Sequence, residues 1–169
     1  MPTLRPHQQT ALDALLKYNL GQCVFPTGSG KTLVGIMDAK RQFASDTPKT
    51  IVVVAPRILL AEQLSSEYLE HITNAEVLHV HSGETHHVST TKVDVIKCHH
   101  DVCKIQNLHQ LIFTTYNSLH RIQEAEIEVT LSTLMRHITV SSVTSSLLLS
   151  ISHRKQSVAT SSLQLPNIL

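Results

Sequence analysis

The stretch Phe25-Pro26-Thr27-Gly28-Ser29-Gly30-Lys31-Thr32 has the residue types that hold a polyphosphate. Gly28 and Gly30 let the backbone curl until successive N–H groups face one anion. Lys31 supplies a point charge for the outer phosphates, and the Thr32 hydroxyl can ligate magnesium. Such a loop needs a strand before it and a helix after it, because the helix N-terminus adds its own partial positive charge. Both flank it. Gln22-Cys23-Val24-Phe25 is a short apolar strand, and Leu33 to Phe43 reads as a helix. The strict pattern has Gly where Phe25 stands. Thr27 to Thr32 in this setting still points to a nucleotide rather than to a chance glycine-rich turn.

The surrounding elements alternate. His7 to Tyr18 carries Ala11, Leu12, Leu15 and Leu16 at helical spacing, and Asn19-Leu20-Gly21 ends it. Thr50 to Ala55, TIVVVA, is a β-branched run suited to a strand buried on both faces of a parallel sheet. Pro56 stops it, and Ile58 to Ile72 is amphipathic with Leu60, Leu64 and Leu69 inward. Glu76 to His81 and Gln110 to Thr114 are two further strands. Between them Ser82 to His109 is polar and His-rich, an excursion rather than a core element. Strands alternating with helices predict an α/β fold with a parallel sheet and crossover helices.

Composition divides the chain in two. All 13 acidic residues lie at or before Glu128, all five glycines at or before Gly83, and the last aromatic is Tyr116. Residues 130–169 hold no Asp, Glu, Gly, Phe, Tyr or Trp. Folded domains need turn formers and packing anchors throughout. The boundary therefore separates a domain at 1–129 from a Ser/Thr/Leu-rich tail at 130–169, expected to be non-native or disordered. The net charge of +1 gives no bulk argument for nucleic-acid binding, which needs a local site. Three cysteines make no disulfide framework, no apolar run is long enough to span a membrane, and no signal peptide is visible, which predicts a soluble intracellular chain.

Three further segments choose among nucleotide-binding classes. Leu4-Arg5-Pro6-His7-Gln8-Gln9 precedes the loop, Ala55-Pro56-Arg57 with Leu60 and Gln63 follows one strand, and Thr114-Thr115-Tyr116-Asn117-Ser118-Leu119 follows another. With these the chain resembles the first RecA-like domain of a superfamily 2 DEAD/DEAH-like helicase, closest to the type III restriction-enzyme (Res subunit) branch. The resemblance covers about Thr3 to Gln123, and the loop without its leading Gly is common in that branch. It implies ATP and Mg2+ as cofactors. It also implies that Arg5 and Gln8 contact the base, that Thr27, Gly28, Ser29, Gly30, Lys31 and Thr32 bind the phosphates and magnesium, and that Lys31 and Thr32 are catalytic. Pro56, Arg57, Gln63, Thr115 and Tyr116 would lie along a nucleic-acid backbone, DNA more than RNA. A second RecA-like domain, expected in the family, is absent from this chain. The alternatives are an unrelated phosphate-loop NTPase or kinase, and a nucleotide- or nucleic-acid-binding remnant without activity.

Cys98-His99-His100-Asp101-Val102-Cys103, with His79, His81, His86, His87 and His109 nearby, offers zinc ligands by type. The two cysteines have no matching second pair, so solvated loop histidines are the plainer reading.

The family resemblance also requires an Asp-Glu pair on a later strand, the Asp to hold magnesium and the Glu to orient water. Leu134-Met135-Arg136-His137 stands there instead. Read one base out of register, those codons can spell Asp-Glu-Ala-His. The same shift lets Leu131 to Leu134 spell Ile-Tyr-Phe, and Ser162 to Pro166 spell Thr-Ala-Thr-Pro. This points to one nucleotide lost near the codons of Val129 and Thr130, and to a chain impaired in catalysis. A genuine Ser-rich tail is the alternative.

Overall fold

The computed structural model describes residues 3–18, 20–26, 28–135 and 138–142. The chain order is α1 (Pro6–Lys17), β1 (Leu20–Cys23), α2 (Lys31–Gln42), β2 (Thr50–Ala55), α3 (Ile58–Leu69), β3 (Ala75–Val80), α4 (Val93–Ile105), β4 (His109–Thr115), α5 (Leu119–Glu124), β5 (Leu131–Met135) and β6 (Ile138–Ser142). One sheet takes all six strands in the order β1-β6-β5-β2-β4-β3. β3, β4, β2 and β5 run parallel, as the alternation predicts, whereas β6 is antiparallel to both β5 and β1.

Every residue of β2 is buried, because both faces of the sheet are covered. Ile51, Val53 and Ala55 point to one face and pack with Val34, Ile36 and Ala39 of α2, Ala61, Leu64 and Tyr68 of α3, and Leu131 of β5. Val52 and Val54 point to the other, against Ile96 of α4, Leu119 and Ile122 of α5, and Ile127 and Val129. The period-two alternation of a β-branched strand thus feeds two cores at once. α3 buries Ala61, Leu64, Ser65 and Tyr68, one stripe at helical spacing, while Leu16 at the end of α1 is 64% exposed rather than inward.

One expectation needs correcting. The polar excursion between Ser82 and His109 contains α4. Its inward positions are Ile96, His100 and Cys103, and the polar His100 interrupts the apolar stripe. His100 is held inside by Gln110, whose Oε1 accepts from His100 Nδ1 at 2.9 Å, with the Thr50 hydroxyl 3.3 Å from the same nitrogen. The sheet runs past the composition break at Thr130. β5 pairs with β2 from Leu131 opposite Ile51 to Leu134 opposite Val54, and β6 returns beside it. Residues 143–169, most of the tail, lie outside the described residues.

Candidate nucleotide-binding site

The glycine-rich loop leaves the end of β1 and runs into α2. Gly28 and Gly30 have φ of 78° and 80°, the left-handed region that a Cβ disfavours. Gly30 is the N-cap of α2, so it turns the chain into the helix, and its carbonyl accepts from the Leu33 N–H at 3.2 Å. That first turn carries no acidic residue, so nothing in it repels an anion. Thr27, which the sequence places in the phosphate site, lies outside the described residues.

Lys31 opens the helix, and its Nζ donates to the carbonyls of Phe25 at 3.2 Å and Pro26 at 3.1 Å. The ammonium is held across the mouth of the loop by neutral acceptors. A phosphate oxygen is a stronger partner, because charge-assisted hydrogen bonds are roughly twice as strong as neutral ones. Ser29 closes the turn, with its hydroxyl donating to the Pro26 carbonyl at 2.7 Å. Thr32 is half-buried at the second helical position, and Ser29 is half-buried as well.

α1 braces this loop. Gln8 is 3% exposed, and its Nε2 donates to the carbonyls of Ser29 at 3.0 Å and Gly30 at 3.3 Å, while its Oε1 accepts from the Arg5 N–H at 2.8 Å. Any side chain on Gly30 would run into that amide. Arg5 caps α1 and is exposed. His7, which the sequence did not single out, also reaches the loop. Its Nε2 lies 3.1 Å from the Ser29 carbonyl, so the proton sits on Nε2, and its ring meets Phe25 edge-on at 5.7 Å. The signal was its place between Arg5 and Gln8 on the first turn of the same helix.

The expected nucleic-acid residues gather at the ends of two adjacent parallel strands. Ala55 of β2 pairs with Thr115 of β4, so Pro56 and Arg57 leave the sheet beside Tyr116. Arg57 is exposed at the N-cap of α3, and Gln63 is exposed farther along the same helix. Thr115 is buried, with its hydroxyl on Ser118 Oγ at 3.4 Å. Tyr116 is half-buried against the second core and donates its N–H to the Ala55 carbonyl. β1 runs in the same direction as β2, since β6 is antiparallel to β1 and to β5. The phosphate loop and this cluster thus leave the same edge of the sheet, where open α/β sheets bind ligands. Between them ends β5, at Met135.

The histidine-rich segment divides. Cys98 is exposed and Cys103 buried on α4, and among the described residues no three His, Cys, Asp or Glu side chains converge as a metal requires. His79 is buried inside a chain of neutral donors and acceptors. The Gly83 N–H donates to His81 Nδ1, so neutral His81 carries its proton on Nε2 and faces His79 Nδ1 at 3.1 Å. His79 then donates through Nε2 to Ser65 Oγ at 3.1 Å. Burial, with His81 and His87 beside it, pushes the His79 pKa down to about 4.

Solved structures share this architecture. The chain is similar to a nuclease-deletion mutant of the Type ISP restriction-modification enzyme LlaGI in complex with a DNA substrate mimic, with a TM-score of 0.68 and 21% identity. It is also similar to the ATP-dependent Type ISP restriction-modification enzyme LlaBIII bound to DNA, with a TM-score of 0.63 and 20% identity. The matches cover 79% and 78% of this chain, but only 15% and 10% of those enzymes. No curated protein sequence matches it. No described helix is long and apolar enough to cross a membrane. The family model for the type III restriction enzyme, res subunit, matches residues 1–144, and the chain, an α/β domain of RecA-like architecture, belongs to that family.

Proposed function

We propose that this chain is the ATP-binding domain of a nucleic-acid-dependent ATPase, and that its own hydrolysis is impaired. The observation that carries the reading is the loop itself, with two left-handed glycines delivering Lys31 and the N-terminus of α2 to one point. In this reading Thr27 to Thr32 bind the phosphates, and Lys31 moves from the Phe25 and Pro26 carbonyls onto them. Arg5 lies on the base side, and Gln8 acts chiefly by fixing the loop. Pro56, Arg57, Gln63, Thr115 and Tyr116 follow a nucleic-acid backbone. DNA is favoured, because both similar enzymes are described with DNA or a DNA mimic.

Thr32 fits as one magnesium ligand, but its partner is missing. Hydrolysis needs a carboxylate for the metal and another to orient water, delivered at the end of a strand beside the loop. β5 ends there in Met135, and no Asp or Glu follows Glu128. The loss of one nucleotide near the codons of Val129 and Thr130 accounts for this, since the shifted frame can restore Asp-Glu-Ala-His from position 135.

A titration with fluorescent ATP and magnesium tests the first part. Binding is expected, weakened about tenfold or more by Lys31→Ala, since a charge-assisted bond contributes 1.5–3 kcal/mol or so. An absence of binding removes the proposal. Robust nucleic-acid-stimulated turnover, abolished by Lys31→Ala, would contradict the impairment. Sequencing the genomic locus decides the lost base.

A further inference from the structure

Tyr68 is completely buried on the inner side of α3, with its ring edge-on to Phe113 at 5.6 Å. Its hydroxyl has no hydrogen-bond partner among the described residues. The space around that oxygen is shaped for it. A Cβ on Gly35 would lie 2.6 Å from Tyr68 Oη, so the glycine of α2 leaves room for the hydroxyl. The same Cβ would lie 3.8 Å from the methyl carbon Cγ2 of Thr133, which places that strand residue on the sheet side of the same spot. A tyrosine is favoured in a core only when its hydroxyl reaches a partner, because a buried orphan loses its water for nothing. Phenylalanine would fill this place without that loss, so the hydroxyl points to a partner that this strand lacks.

The genetic code supplies one. On the lost-base reading above, on which this step rests, the codon for position 133 joins the third base of the Ser132 codon to the first two of the Thr133 codon. Every threonine codon begins with A and C. The shifted codon is therefore any base followed by A and C, which encodes Tyr, His, Asn or Asp and nothing else. All four carry a hydrogen-bonding group, whatever the unknown base. A single restored base before Leu131 leaves the strand numbering unchanged, so that residue occupies the place of Thr133. We propose that the parental strand carries Tyr, His, Asn or Asp at position 133 as the hydrogen-bond partner of Tyr68. The pair fastens α3 to the strand two positions before its carboxylates.

Thermal melts of four proteins test this: the present chain, the chain with the base restored, and Tyr68→Phe in each. In the present chain Tyr68→Phe is expected to leave Tm unchanged or raise it. In the restored chain it is expected to lower Tm by about 4 °C or more, the effect of one buried hydrogen bond in a domain of this size. Equal responses in the two chains overturn the pairing. Should the restored chain fail to fold, Thr133→Asn in the present chain replaces it. It is expected to raise Tm beside Tyr68 and not in the Tyr68→Phe background, and equal effects in both overturn the proposal. A genomic sequence with no missing base removes the reading on which the pair rests. A confirmed missing base with no coupling between positions 68 and 133 removes the pair alone.

Discussion

β2 and β5 are neighbours in one sheet and run the same way, yet they are joined to it on different terms. β2 belongs to a set of three, β2-β4-β3, in which α3 and α4 make the crossovers and both faces are packed. β5 has β2 on one side and β6 on the other, and only two residues separate β5 from β6. So short a connection permits only an antiparallel hairpin, since a parallel return needs a dozen residues or more, usually a helix. β6 therefore comes between β5 and β1, and β1 pairs with β6 instead of with a parallel partner. Local sequence suffices to add a strand to an exposed edge. The strand leading to the phosphate loop thereby has an antiparallel neighbour.

The comparison is tested most strongly at Phe113 of β4. It is fully buried, edge-on to Tyr68 and stacked on His79 at 5.4 Å. Phe113→Ala is expected to cost about 3–5 kcal/mol in denaturant unfolding, as large aromatic truncations in cores do. A cost near 1 kcal/mol would mean that the β2-β4-β3 set is not the rigid part.

The next effect is a pH dependence centred on that set. His79 is neutral in the folded chain down to about pH 4, but its unfolded value is 6.5. Below pH 6.5 the unfolded chain binds a proton that the folded chain refuses. Stability is thus fully present above that pH and is lost as pH falls from 6.5 toward 4. The groups facing His79 are Ser65, His81 and His87, with Glu62 near His81. Burial lowers His81 as well, which adds to the same slope, whereas buried Asp38, raised by desolvation and opposed by Arg41, acts the other way. Comparing the chain with His79→Phe at pH 7 and pH 4.5 isolates the histidine. The variant is expected to lose less stability between them, by on the order of 2 kcal/mol. Identical slopes would rule out His79 as the source.

Leu131→Ala probes the other side. Leu131 is 2% exposed and shares a core with Ile51 and Val53. We expect a cost of about 2 kcal/mol, at the low end for a buried leucine, because β5 has a hairpin rather than a second parallel neighbour to hold it in place. A cost above about 4 kcal/mol would make β5 as integral as β2.

The same contrast explains what was legible in the sequence. Thr50 to Ala55 was readable to the residue because burial on both faces leaves only β-branched and small side chains. The loop was readable because phosphate chemistry fixes glycine and lysine at set positions. α4 was not, since its inward side includes His100, made tolerable by Gln110, a partner 10 residues on in the next strand. His99 is drawn into the same network through Gln110 Nε2 at 2.7 Å. Nor was the bracing of the loop by Gln8 and His7, which depends on the packing of α1 against α2. The strand pairing of residues 131–135 was hidden for another reason. Ser132 and Thr133 interrupt the apolar run of Leu131, Leu134 and Met135, and only the pairing with β2 defines the strand.

The smallest expected effect lies where the two regions meet. Lys104 of α4 reaches Glu128, the last acidic residue before the composition break, at 3.2 Å, and the two side chains are 53% and 81% exposed. If this ion pair secured the lead into β5, Lys104→Ala would cost as much as truncating Leu131. Exposed pairs of this kind contribute about 0–1 kcal/mol and are screened by salt. Glu128 lies between Ile127 and Val129, which are 4% and 6% exposed in the second core and hold the segment by burial. Lys104→Ala is thus expected to change stability by less than about 0.5 kcal/mol at 0.15 M salt, and by less still at 1 M, in the same denaturant assay. A salt-sensitive loss larger than that would shift the attachment of β5 from packing to charge, and with it the explanation of why the strand stays in place without acids of its own.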